Sequence, residues 1–221
     1  MMTGEIHGWR KIVQATPGRV TRLHTARNEL VPLPAIARDL PVLVARRLLR
    51  RTPTEPWLTR EAVRFLRTAI QADWDIFEIG SGTSTAWYAR RARSVIAIES
   101  DPIWQRHVAS SLAEHPNATV EAVAAYDFPA RIAREPDEAF DLVVVDGSEA
   151  GLSPDEGRVG CVRAAAPKVR AGGILLLDNS DWPRYAPVDA ILESWRCVRF
   201  RGFTTGPLTP IETTLHWRPT S

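Results

Sequence analysis

Short runs of apolar residues, each stopped by a glycine or an acid, recur along most of this chain. Ile76, Phe77 and Ile79 form the first, halting at Gly80-Ser81-Gly82. Ser94 to Glu99, Ala118 to Ala124, Phe140 to Val145 and Ile174 to Leu177 follow in order. Runs of this length predict strands, and Phe140 to Val145, apolar but for Asp141, predicts one buried on both faces. Between them the period changes. Thr59 opens a stretch in which Ala62, Phe65, Leu66, Ala69 and Ile70 recur at helical spacing, with Glu61 in its first turn. Thr83, Ser84 and Thr85 are good N-caps for a helix over Ala86 to Arg91. Pro154 to Arg170 reads as a helix that Pro167 kinks or shortens, Gly172-Gly173 as a reversal, and Pro187 to Trp195 as a last helix. Cys197 to Phe203 and Thr213 to Trp217 read as two strands joined across Gly206-Pro207. Strand and helix alternating, with an antiparallel pair at the end, predict an α/β fold with helices on both faces of one sheet.

The first quarter of the chain has a different pattern. Trp9, Ile12 and Val13 suit a short helix that Pro17-Gly18 would end, and Ala35 to Arg51 is apolar and arginine-rich, broken at Pro41. Pro53 to Pro56 reads as a linker. The expected organisation is a helical extension over residues 1–56 and one sheet domain over 57–221, a size that buries a single core.

Composition changes this picture in one respect. Charged residues make up 24% and hydrophobic ones 44%, ordinary for a globular chain, and the net charge is +2. The charge is unevenly spread: residues 1–60 carry a net +7 and the remainder a net −5. A basic extension on a mildly acidic domain suits an anionic substrate, a membrane surface or nucleic acid, and a solvated face accounts for it equally well. Cys161 and Cys197 are the only cysteines and form no C-x-x-C, which argues against a structural zinc site. The first twenty residues lack the apolar segment of a signal peptide, and no apolar run approaches the ~20 residues that span a bilayer. A cytoplasmic protein without a transmembrane segment is the expectation. Nucleic acid is not an expected partner, and a homo-oligomer is compatible with the sequence.

The candidate chemistry centres on Asp75 to Ala89. Strand, glycine turn and helix in succession make a ligand-binding βα unit, with backbone N–H groups facing the ligand. Two features bear on which ligand. Thr85 stands where a dinucleotide fingerprint has its third glycine, and Glu78 ends the strand where a carboxylate repels a pyrophosphate and suits an ammonium group. Glu99 lies about 20 residues beyond the turn, at the tip of the next strand, where an acid grips a ribose diol. Glu78-Ile-Gly-Ser-Gly-Thr-Ser-Thr-Ala-Trp87, followed by Glu99-Ser-Asp-Pro-Ile-Trp104, resembles the class I S-adenosylmethionine-dependent methyltransferases. The resemblance is strongest to bacterial members that open with E-x-G-S-G-x-S-T-x-W and continue with E-x-D-x-x-W. It extends over about residues 57–218 and implies their Rossmann-like seven-stranded sheet.

That resemblance implies roles for named residues. Glu78, Gly80, Ser81, Gly82, Thr83, Ser84 and Thr85 would hold the methionine end of S-adenosylmethionine. Glu99 and Ser100 would take the ribose, and Asp127, after the third strand, the adenine amino group, although a turn carboxylate explains Asp127 as well. Asp146, at the end of Phe140 to Val145, would lie near the transferred methyl as the catalytic candidate. Metal-dependent catechol-type O-methyltransferases carry an Asp after the fourth strand and Asp-Asn after the fifth, and Asp146, Asp178 and Asn179 match those types. Their oxygen donors suit magnesium. Ser148-Glu149-Ala150 lacks the lysine common in those enzymes, so a metal-free site built from the same carboxylates remains the alternative. His107, His115 and His216 are isolated, Trp87 and Trp104 suit the core or an adenine wall, and Trp182 to Tyr185 suits an acceptor loop. The expected activity is methyl transfer to an oxygen or nitrogen of a small molecule. The alternatives are a non-catalytic S-adenosylmethionine-binding subunit and a metal-dependent hydroxylase. An NAD-dependent oxidoreductase is disfavoured by the missing glycine.

Overall fold

A computed structural model describes residues 21, 23–48, 54–149, 151–205 and 210–220. Helix α1 (Leu33–Leu48) precedes α2 (Arg60–Ala69), after which strands and helices alternate: β1 (Asp75–Ile79), α3 (Thr83–Ala89), β2 (Ser94–Glu99), α4 (Pro102–Ser111) and β3 (Ala118–Ala122). The second half runs α5 (Phe128–Ala133), β4 (Phe140–Val145), α6 (Arg158–Ala165), β5 (Val169–Leu177), α7 (Pro187–Ile191), β6 (Arg196–Phe203) and β7 (Pro210–Trp217). The strands form one seven-stranded sheet in the order β3-β2-β1-β4-β5-β7-β6. The first five are parallel, and β7 runs antiparallel between β5 and β6.

Strand alternation divides the core between the two faces of the sheet. Phe77, Ile79, Ile98, Val143, Val145, Leu175 and Leu177 point to one side, where α5, α6 and α7 cover them with Phe128, Ile132, Val159, Val162 and Val188. Ile76, Val95, Leu142, Val144, Ile174 and Leu176 point to the other, against Val63 and Leu66 of α2 and Trp87 and Tyr88 of α3. Both faces are therefore dry, which is why these strands read as continuous apolar runs.

Several boundaries differ from the sequence reading. The helix expected over Pro154 to Arg170 is only α6, followed by a 3₁₀ turn over Ala166–Lys168 at Pro167. Gly172-Gly173 does not reverse the chain but lies inside β5, where the register with β4 shifts. Gly172 takes φ +76°, a conformation open to glycine, so the strand passes through an irregularity instead of ending. The N-cap of α3 is Gly82, one residue before the expected caps, and Thr85 donates nothing to it but accepts the Gly82 N–H at 3.1 Å. Pro41 does not break α1, although it withholds one helical hydrogen bond. Anchorage offsets that loss: Val31 and Ala35 bury against Phe203, and Asp39 accepts from Arg60 at 3.2 Å and Arg64 at 3.0 Å. The helix expected near Trp9 to Val13 and the Gly206-Pro207 link lie outside the described residues. No helix among the described residues is long and apolar enough to cross a membrane.

Candidate active site

Strand order reverses between β1 and β4, so their carboxyl ends splay apart and leave a crevice there. The chain enters it at Gly80, whose φ is +89°. A Cβ on Gly80 would come within 2.9 Å of Gly147 Cα, and one on Gly147 within 2.9 Å of the Phe128 ring. Both positions need glycine because the turns after β1 and β4 touch, with Asp146 N–H bonded to Ile79 O at 2.9 Å.

The crevice holds a cavity of about 440 Å³ lined by Glu78, Gly80, Ser81, Ser84, Glu99, Ser100, Asp101, Trp104, Asp146 and Ser148. Four of these are acids, and among the described residues none of the lining side chains is basic. Glu78, 2% exposed, lies under the first turn of α3 and accepts from Thr85 Oγ1 at 2.6 Å. Burial lifts its carboxyl to a pKa of about 8, with Asp146 and Glu99 adding to the rise and the Ser84 and Thr85 hydroxyls opposing it. Thr85 thus fills the place of a third glycine with a hydroxyl that bridges Glu78 and the Gly82 N–H.

Glu99 is fixed from both sides. One carboxylate oxygen accepts from the Ser81 N–H and hydroxyl, each at 3.1 Å, and the other from the N–H groups of Ser100 at 2.7 Å and Asp101 at 3.0 Å. Asp101 caps α4 by accepting from the N–H groups of Ile103 and Trp104. Trp104 reaches back with its indole N–H to Ser81 O at 2.9 Å, so its ring forms a wall of the cavity, stacked on His107 at 5.0 Å. Trp87, the other tryptophan of the motif, is core.

The expected residues separate into two groups. Glu78, Gly80, Ser81, Ser84, Glu99, Ser100 and Asp146 share the cavity lining. Thr85 stands behind Glu78, Gly82 caps the helix, and the Thr83 hydroxyl turns away to Glu55 O at 3.2 Å. Asp127 ends an exposed 3₁₀ turn before α5 and is not part of the lining. Of the histidines, His216 is buried in β7, where burial pushes its pKa down to about 4, and it does not face the cavity.

Asp146, Asp178 and Asn179 do come together, but around Arg158. Its Nη2 donates to Asp146 Oδ1 at 3.1 Å and its Nη1 to Asn179 Oδ1 at 3.3 Å. Asp178, 3% exposed, accepts from the Thr213 hydroxyl at 2.7 Å, and burial together with the Asp146 charge holds its carboxyl well above the usual range. Burial pushes the Asp146 carboxyl up as well, and the charge and hydrogen bond of the Arg158 guanidinium oppose that rise. The three residues named as metal donors thus surround a fixed guanidinium, which already occupies the space between them. No metal-binding group of His, Cys, Asp and Glu occurs among the described residues. Arg158 escaped the sequence reading, although a cation in the first turn of a helix opposes the helix dipole and signals a tertiary role.

The extension borders this site. Ala26 N–H donates to Asp181 Oδ2 at 2.5 Å and Arg27 to Ser180 O at 3.2 Å, which lays residues 25–29 on the loop after β5. Trp182 of that loop is partly exposed and stacks on Tyr185.

Residues 77–180, just under half of the chain, match the family model of a methyltransferase domain. No curated protein matches the chain significantly. Solved structures with the same fold include an O-methyltransferase from Bacillus cereus in complex with SAH, at 20% identity and TM-score 0.56, covering 85% of this chain and 91% of that one. The N-methyltransferase NodS from Bradyrhizobium japonicum WM9 aligns at 17% identity and TM-score 0.54 over 72% of this chain and 94% of its own. A methyltransferase-like protein from Silicibacter pomeroyi aligns at 24% identity and TM-score 0.53 over 76% and 91%. At these identities the structural likeness establishes the fold, and the family match covers the segment from β1 through the end of β5.

Proposed function

We propose that this chain is an S-adenosylmethionine-dependent methyltransferase that acts on an oxygen or nitrogen atom of a small-molecule acceptor. The observation that carries the reading is the chemistry of the cavity lining: four carboxyl groups at the β1/β4 switch point and, among the described residues, no basic side chain. A pyrophosphate would find no cation there to pair with. S-adenosylmethionine fits it, because its sulfonium and ammonium charges outnumber its one carboxylate and it carries no phosphate.

In this reading the backbone of Gly80 to Gly82 approaches the methionine end and Glu78 pairs with the ammonium. Glu99 takes the ribose diol, which would replace the Ser81 and Ser100 hydroxyl contacts while the three backbone N–H groups keep the carboxylate aimed. Trp104 supplies the flat wall for adenine. Residues 57–221 form the catalytic unit, and the extension through Arg27 and the loop at Trp182 shape the acceptor side.

Methyl transfer is then a displacement. A lone pair on the acceptor attacks the methyl carbon as the carbon–sulfur bond breaks onto sulfur, leaving neutral S-adenosylhomocysteine. Alignment of the two reactants supplies much of the rate. For an acceptor that must shed a proton, Asp146 is the candidate base: it lines the cavity, is oriented by Arg158, and its carboxyl is pushed up by burial. The test is calorimetric titration with S-adenosylmethionine and NADH, followed by transfer of labelled methyl to a panel of phenols, amines and carboxylates. Binding of S-adenosylmethionine without NADH binding, and S-adenosylhomocysteine formed only with acceptor, are expected. Tight NADH binding, or cofactor binding without turnover on any acceptor class, would overturn the assignment.

A further inference from the structure

We propose that Arg158 stands in this site as a permanent organic replacement for a divalent cation, so that the ends of β4 and β5 offer no place for a metal. The guanidinium carries five N–H donors in a rigid plane. Nε donates to Gly147 O at 3.0 Å. Nη1 donates to Asp178 O at 2.8 Å and Asn179 Oδ1 at 3.3 Å, and Nη2 to Asp146 O and Asp146 Oδ1, both at 3.1 Å. All five donors are used, and every acceptor belongs to the two turns that would embrace a metal. The residue is 9% exposed and packs over the Tyr185 ring at 5.7 Å. Its own backbone is held as well: Glu149 Oε2 accepts the Arg158 N–H at 2.8 Å, and Glu149 Oε1 accepts the Tyr185 hydroxyl.

The consequence is chemical. A bound magnesium ion keeps coordination positions for waters or acceptor oxygens and polarises them. A guanidinium with every N–H committed keeps none. It supplies the positive charge that balances Asp146 and pins two loops together, and it cannot draw an acceptor oxygen into its shell. Any acceptor is therefore oriented by the surrounding loops and not by a shared cation.

The experiment reads metal binding and melting in the full chain without cofactor, so its outcome does not depend on the methyltransferase reading. Mn²⁺ binding is followed by electron paramagnetic resonance, and Tm is recorded in chelator, in millimolar Mn²⁺ and in methylguanidinium, for the parent, Arg158→Ala and Arg158→Lys. The parent is expected to bind no Mn²⁺ stoichiometrically and to melt at the same temperature in chelator and in Mn²⁺. Arg158→Ala is expected to melt about 10 °C lower, to recover with methylguanidinium, and to gain one saturable Mn²⁺ site that a second change, Asp178→Asn, removes. If Arg158→Ala does not fold, Arg158→Lys keeps the test open. A lysine offers three donors in place of five, so it should melt between the two and still bind no Mn²⁺. One Mn²⁺ bound by the parent and lost in Asp178→Asn would overturn the proposal. So would an Arg158→Lys that melts with the parent, or an Arg158→Ala that neither cation rescues.

Discussion

Replacing Glu78 by Gln tests the buried acid that most distinguishes this cavity. In the folded, ligand-free chain its pKa is about 8 against an ordinary 4.5, because burial withholds solvent from the charge. A carboxyl raised on folding binds its proton more tightly in the folded state. Between pH 4.5 and 8 the unfolded chain is therefore ionised at this position while the folded chain is not, and stability falls as pH rises. The slope is about 1.4 kcal/mol per pH unit, flattening near pH 8. His216 acts in the opposite sense: with a folded pKa of about 4 against 6.5, it raises stability as pH climbs through that interval. The two nearly cancel below pH 6.5, which leaves pH 6.5 to 8 as the window in which Glu78 is seen. There the parent should lose about 1.5–2 kcal/mol through this group, or ~3–8 °C in Tm for a chain of this size.

Glutamine keeps an oxygen for the Thr85 hydroxyl and cannot ionise, so Glu78→Gln should shed this part of the slope. S-adenosylmethionine should reverse the behaviour of the parent. Its ammonium needs the ionised carboxylate, so binding below pH 8 expels a proton and affinity climbs about tenfold per pH unit up to that point. Differential scanning fluorimetry across pH gives the slope, and calorimetry in two buffers of unlike ionisation enthalpy counts the proton. Identical slopes in parent and variant, or binding without proton release, would refute the reasoning.

Other expectations follow from single contacts. Glu99→Ala should weaken S-adenosylhomocysteine binding by about 1.5–3 kcal/mol, roughly 10- to 100-fold by titration, with the fold retained. Trp104→Ala should weaken it by a smaller factor and abolish the change in tryptophan fluorescence on binding, because that indole forms a cavity wall. Asp39→Ala should cost about 2–4 kcal/mol in denaturant unfolding, since it removes the buried carboxylate that Arg38, Arg60 and Arg64 share. Burial works to raise the Asp39 pKa, but hydrogen bonds from Arg38 and Arg64 outweigh it and the net shift is downward. Its contribution is present above the ordinary carboxylate range and is lost as pH falls through the folded value, so the gap between Asp39→Ala and the parent should close in acid.

The sequence by itself determined the sheet and its ligand end. Strands buried on both faces must be apolar throughout, so β1, β2, β4 and β5 were visible as runs, and the acids that end β1, β2 and β4 marked the rim of the crevice. Glu78 and Glu99 were legible for the same reason: local spacing around a glycine turn fixes where they point. What spacing could not supply was the partner of a group distant in the chain. Asp146, Asp178 and Asn179 have the residue types of a metal site, and only the packing of α6 reveals that Arg158, 12 residues from Asp146 and 20 from Asp178, enters between them. The attachment of the extension was hidden likewise. A contact such as Ala26 to Asp181 spans 155 residues, and nothing in the pattern around either one encodes it. Asp127 lies in an exposed turn just before α5, outside the residues that line the cavity. Periodicity records which face of an element is dry, whereas the identity of the group across a gap is decided when the elements pack.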